Sequence, residues 1–209
     1  MGLIRLLMSD PVAFVMLAVL LLYSVILHEL AHGWVAYRMG DATAKWLGRL
    51  TLNPIKHLDP IGTAALMLIG FGWAKPVPVN LENIPAADRR KGLILVSAAG
   101  VTANMIIAFC ALLLLKLIAP EPGSMISQVL YLLARINILL AAFNLIPIPP
   151  LDGSKILMGF TPESFNRVLY QLEPFGFFIV LGLLLLGVLT PVINLFQSVI
   201  ITVISIFIP

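Results

Sequence analysis

A chain of 209 residues that is 60% hydrophobic and only 11% charged has no room for a large soluble domain and reads as a polytopic membrane protein. Its net charge of +3 is too small to require a nucleic-acid partner, so where the charges fall matters more than their sum. The single cysteine, Cys110 in an apolar run, excludes an intramolecular disulfide and a cysteine zinc cluster.

Residues 1–9 are short and mostly apolar, an interfacial turn carrying Arg5, and Asp10-Pro11 suits a helix start because proline is tolerated in the first turn. Residues 12–40 form an apolar run longer than the roughly 20 residues needed to cross a bilayer core, with Gly40 as its C-cap. The run lacks a small-residue cleavage site and is expected to be retained rather than removed as a signal peptide. Near its far end stands His28-Glu29-Leu30-Ala31-His32. Positions i and i+4 share one helix face, so the two imidazoles can grip one metal ion while Glu29 takes a proton from a metal-bound water. H-E-x-x-H on a helix is the arrangement of zinc-dependent peptide hydrolysis. At ~1.5 Å per residue, His28 lies roughly 24 Å into a core of about 30 Å, below the membrane surface.

Residues 41–60 make a polar connector with turn signals at Asn53-Pro54 and Asp59-Pro60. Residues 61–73 are apolar but short and broken by Gly62, Gly70 and Gly72, which predicts a re-entrant or interfacial segment. Gly70-Phe71-Gly72-Trp73 is a candidate lining for a water channel from the cytoplasm. In Lys75-Pro76-Val77-Pro78-Val79-Asn80 the alternation predicts a short extended piece that the prolines confine to a sheet edge. Residues 82–91 are charged and surface-lying.

Residues 93–118 and 125–146 are the second and third spans, antiparallel neighbours across a short turn at residues 120–123. Pro147-Ile148-Pro149-Pro150-Leu151-Asp152-Gly153 breaks the third span sharply, because proline cannot continue the helical hydrogen bonds. Residues 175–189 and 192–208 complete the set. The fold class expected is an all-α polytopic membrane protein of five to six transmembrane helices, with a re-entrant segment and a short extended β edge element. It forms a single domain over residues 1–209, with the chemistry in a core over 12–153 and C-terminal transmembrane helices over 168–209.

If residues 61–73 do not cross, Arg38, Lys45, Arg49, Lys56, Lys75, Arg89, Arg90 and Lys91 lie on one side, joined by Lys155 and Arg167. The positive-inside rule then makes the face where the metal-motif helix exits cytoplasmic, with the N-terminus outside.

A catalytic zinc usually has three protein ligands and an open position. Candidates for the third are His57 and the carboxylates other than Glu29. Most of these, Asp41 among them, lie in polar connectors, where a solvated charge is the default. Asp152 differs, since it follows a proline-broken span that ends at the same level as His28 and His32. An unpaired carboxylate there is expensive, and a metal removes that penalty. His57 reads as a connector histidine near the membrane surface.

The H-E-x-x-H motif, together with Asn144-Leu145-Ile146-Pro147-Ile148-Pro149-Pro150-Leu151-Asp152-Gly153, resembles the site-2 protease family of intramembrane zinc metalloproteases, in its small prokaryotic form without a PDZ or CBS domain. Residues 72–80 look like a segment of the same family. The resemblance implies that His28, His32 and Asp152 bind one Zn2+, that Glu29 is the general base, and that Asn144 contacts the substrate backbone or the oxyanion. Gly100-Val101-Thr102-Ala103-Asn104 is similar to the family's G-P-x-x-N stretch, with Val101 in the proline position and Asn104 as its polar residue.

The implied function is cleavage of transmembrane protein substrates within the lipid bilayer of the cell membrane, with a regulatory membrane partner as a further possibility. A helical substrate hides its peptide bonds, and strand addition is a natural way to extend it. Val77 and Val79 are therefore candidate substrate contacts, with one edge of their segment paired to the enzyme's own strand. The alternative is a divalent-metal transporter using the same ionisable residues, since broken helices also suit transport.

Overall fold

The computed structural model describes residues 3–70 and 72–208, the side chain of Ile69 excepted. Two features of the sequence dominate it: long apolar helices, and the prolines that end or interrupt them. A short helix α1 (Leu3–Ser9) leads into α2 (Pro11–Arg38), which begins at Pro11 with the Asp10 side chain accepting from the Ala13 N–H. Then come α3 (Thr43–Trp46), α4 (Pro60–Ile69) and α5 (Arg89–Ile118). Helix α6 (Met125–Asn144) is followed by α7 (Asp152–Phe160), α8 (Glu163–Leu172), α9 (Gly176–Leu185) and α10 (Leu189–Phe207). Among the described residues five helical stretches are long and apolar enough to cross a membrane: Pro11–Arg38, Ala86–Ile118, Met125–Asn144, Glu163–Leu185 and Leu189–Phe207. The chain is a multi-pass, all-α membrane protein.

Helix α5 is the hub, packed by α2, α6 and α7, while α10 lies against α6. Ala108, Ala111, Ala134, Ala141 and Ala142 are all at most 2% exposed. Residues this small let apolar helices approach closely where lipid offers no hydrophobic drive between them. Val101, Ala108 and Ile138 join Ile200 and Ile204 in one core cluster across α5, α6 and α10. Deep in the bundle Asn137 donates to Ser24 Oγ at 2.8 Å, tying α6 to α2. Arg135, at the middle of α6, is exposed, with its guanidinium 5.7 Å from the Tyr131 ring centroid. It belongs to the helical stretch Met125–Asn144 and not to a connecting loop.

Helix α4 has ten residues, about 15 Å at the helical rise, and so reaches only about halfway through a bilayer core. It ends at Gly70, whose φ of 79° turns the chain back. The return closes where Leu58 bridges Ala74 and the Lys75 N–H donates to the His57 carbonyl at 2.8 Å. The two ends of the segment thus lie side by side. Phe71, expected beside a water channel, lies outside the described residues.

The expected β edge element is corrected by the structure. No β-strand exists among the described residues, and Leu58 with Ala74 makes only an isolated bridge. Residues 75–80 form an irregular strap instead. Pro76 and Pro78 have no N–H to give a ladder, and beyond Lys75 two of the other donors are taken up singly by side chains: Val77 N–H by the Glu29 carboxylate and Asn80 N–H by Asp41. Strand addition at this segment falls with the strand.

Candidate metal centre and active site

Helix α2 presents His28 and His32 one turn apart toward α5, both under 10% exposed. Their Nδ1 atoms face acceptors on α5: Asn104 Oδ1 at 3.0 Å from His28 and the Val96 carbonyl at 2.6 Å from His32. The Nδ1 atoms therefore carry the ring protons, and the two Nε2 lone pairs converge, 3.0 Å apart. Asp152, the first residue of α7, brings its Oδ2 to 3.2 Å from each Nε2.

The turn that delivers Asp152 explains why α7 starts there. Ile146 and Leu151 are buried in a cluster with Val180 and Leu189, which anchors the chain between α6 and α7 against α9 and α10. A carboxylate in the first turn is also favoured by the helix dipole.

Three acceptor atoms turned onto one point repel each other unless a cation sits among them. Asp152 Oδ2 is buried without a hydrogen-bond donor, which is the signature of a missing electrophile rather than of a salt bridge. Donors held about 2.0–2.1 Å from a tetrahedral zinc are about 3.4 Å apart, close to the spacing found here. The two second-partner contacts on Nδ1 are what metal-ligating imidazoles commonly have. The cluster of His28, His32 and Asp152 is thus capable of coordinating a metal ion.

Gly100 on α5 is where the triad meets the helix behind it. A Cβ at this position would lie 2.4 Å from His32 Nε2 and 2.5 to 2.6 Å from His28 Cε1 and Nε2. Only glycine lets α5 come this close.

His28, Glu29, His32 and Asp152 open onto one cavity of about 950 Å³. Val77 and Val79 of the strap, Asn144 at the end of α6, and Tyr170 and Phe177 of the C-terminal helices line the same space. Glu29 Oε2 accepts the Val77 N–H at 2.8 Å. Asn144 donates to its own helix at the Leu140 carbonyl while facing the cavity. Asn104 is fully buried behind His28, on the far side of the imidazole from Asp152. His57 is fully buried too, but it contacts the Thr51 carbonyl and is not part of the metal-capable cluster.

Sequence reasoning overlooked Gly100 as the residue that admits the imidazoles and Val96 as a carbonyl partner; a backbone acceptor leaves no signal in residue type. It also took Asp41 by default as a solvated connector charge, although it is 0% exposed, and gave Arg49 no role beyond the basic side of the chain, although it is 9% exposed.

The profile of Peptidase family M50 matches residues 116–187, the stretch that contains Asn144 and Asp152. YwhC of Bacillus subtilis, described as a candidate zinc metalloprotease, is 43% identical over 189 residues, 85% of this chain and 85% of its own length. Rip2 of Mycobacterium tuberculosis, described in the same terms, is 30% identical over 187 residues, 87% of this chain and 69% of its own. The zinc metalloprotease MJ0392 of Methanocaldococcus jannaschii is 28% identical over 159 residues, 76% of this chain and 38% of its own. No solved structure matches the chain. Nothing in these relatives supports a transporter. The chain belongs to peptidase family M50 and is an intramembrane zinc metalloprotease of the site-2 protease type.

Proposed function

We propose that this protease holds one Zn2+ on His28, His32 and Asp152 and uses Glu29 as general base to hydrolyse peptide bonds within or near transmembrane segments of other membrane proteins. The observation that carries the reading is the convergence of three buried donor atoms, 3.0 to 3.2 Å apart, beside a glutamate that faces the same cavity. Zinc bound there supplies Lewis acidity, lowering the pKa of water and polarising the scissile carbonyl. Glu29 takes the proton from the attacking water and hands it to the leaving amine. Asn144 lines the cavity wall, which supports a role as donor to the substrate backbone or to the developing oxyanion. The Val79 and Trp73 side chains line the same cavity and offer apolar contacts to an unwound substrate segment.

The whole described chain acts as one domain, with the chemistry in 12–153 and the C-terminal helices walling the cavity through Tyr170 and Phe177. The turned-back α4 supports the reading that the basic connectors share one face, which the positive-inside rule makes cytoplasmic, with the N-terminus outside. Glu29→Gln tests the mechanism. The variant should keep its zinc and lose cleavage; retained cleavage refutes Glu29 as the base.

A further inference from the structure

The polar connector after α2 does more than join helices. Asp41, fully buried at the end of α2, accepts the Asn80 N–H on Oδ2 at 2.7 Å and the Asn83 side-chain N–H on Oδ1 at 2.8 Å. Arg49, 9% exposed, donates from Nη2 to the Lys75 carbonyl at 2.8 Å. The strap is therefore gripped at residue 75 and at residue 80, each time by a buried charge bonded to backbone. Between these grips, the Val77 N–H reaches Glu29 Oε2. Gly33, one turn past Glu29, allows this approach: a Cβ there would lie 2.7 Å from both Val77 Cγ1 and Leu50 Cδ2.

We propose that Asp41 and Arg49 are positioning residues for the hydrolytic step: they clamp the strap so that the Val77 amide holds the Glu29 carboxylate in its working orientation. This rests on the reading of Glu29 as base. A glutamate has three rotatable bonds, and one bond from a fixed backbone donor to Oε2 selects among its rotamers and leaves Oε1 free as the acceptor. The donor is only as fixed as the strap, which has no ladder of its own. Removing either grip lets the donor drift, and a displacement of about 1 Å in a catalytic group is enough to cost ~100-fold in rate.

The test uses the full chain in detergent micelles with a donor–quencher-labelled model transmembrane peptide that has a Gly-Pro break near one end. Asp41→Asn replaces one acceptor oxygen by a donor, and Arg49→Gln removes the guanidinium. Val77→Pro deletes the N–H itself and is compared with Val77→Ala, which shortens the same side chain but keeps the N–H. The expected result is a fall in kcat of about 10- to 100-fold for Asp41→Asn, Arg49→Gln and Val77→Pro. KM should stay within about twofold, zinc content should match wild type, and Val77→Pro should lose at least tenfold more kcat than Val77→Ala, which keeps the N–H. Zinc content and KM separate positioning from a structural role, which would lower metal occupancy, and from a substrate contact, which would raise KM alone; either pattern overturns the proposal. Wild-type kcat in Val77→Pro, with Glu29→Gln inactive, also overturns it while leaving the base in place. Turnover by Glu29→Gln sinks the base and this proposal together.

Discussion

His28 and Glu29 are neighbours in sequence, yet two differently built regions hold them from different directions. The metal-capable triad is made by helices alone: α2 supplies the imidazoles, α5 supplies Asn104, Val96 and the gap at Gly100, and α7 supplies Asp152. The strap over Glu29 has no regular element and is fixed by single bonds from Glu29, Asp41 and Arg49 to its backbone. Helix packing gives the triad a geometry that resists small changes, whereas the strap depends on individual polar groups. Damage to the first region should therefore remove the metal, and damage to the second should slow turnover with the metal in place.

The sharpest way to break that contrast is at Asp152. Asp152→Ala removes one of three donors and should abolish both zinc binding and cleavage; a variant that kept zinc at wild-type occupancy would show the triad to be misassigned. Gly100→Ala comes next, because its new methyl group falls within 2.6 Å of ligand-ring atoms. Zinc affinity measured against a competing chelator should drop by about 100-fold, the upper end of what disturbing the groups behind metal ligands costs. Wild-type affinity in that variant would mean that α5 is free to move away from α2. Asn104→Ala leaves the ligands intact and removes only the acceptor behind His28, so the loss should be about 10- to 100-fold.

The smallest effect belongs to the strap side and is read as stability against pH. Burial raises the Asp41 carboxyl, but bonds from Thr43, Asn83 and the Asn80 and Thr43 amides outweigh it and hold the group below the usual carboxylate range. A depressed value means that the ionised form stabilises the fold above the unfolded value of about 3.9, and that this contribution fades as pH falls through the lower folded one. The melting-temperature gap between wild type and Asp41→Asn should be flat from about pH 5 to 8 and close below about pH 4. A gap that stays constant into acid would mean that the Asp41 carboxyl titrates alike in the folded and unfolded chain, so that its ionised form is not what stabilises the fold.

The contrast between the regions also explains what could be read from the sequence. The metal-motif helix, the number of long helical stretches and the proline-broken end of α6 follow from the length of apolar runs and from proline, which act locally. Asp152 stood out because a carboxylate at that depth needs a partner. Helices α7 and α8 were not anticipated, and the fourth span was placed to start at Phe175, whereas the helical stretch runs from Glu163 to Leu185 with a tight turn at Glu173–Phe175. Its first part is amphipathic, with Asn166 and Leu169 buried and Glu163 and Arg167 outward, so apolar-run length alone missed it. Asp41 and Arg49 looked like ordinary connector charges because their partners, Asn80, Asn83 and Lys75, lie 26 to 42 residues away. The alternation in residues 75–80 suggested a strand, but with two prolines and no adjacent strand to pair with, extended backbone became a strap.

The central claim is that one zinc sits on two imidazoles and one carboxylate at the junction of α2 and α7. X-ray absorption spectroscopy at the zinc edge on the purified full-length chain, with metal quantified per chain, tests it most directly. The account predicts one zinc with a nitrogen and oxygen shell containing two histidines, lost in Asp152→Ala. A zinc-free wild type, a sulfur ligand from Cys110, or a shell unchanged in Asp152→Ala would contradict it.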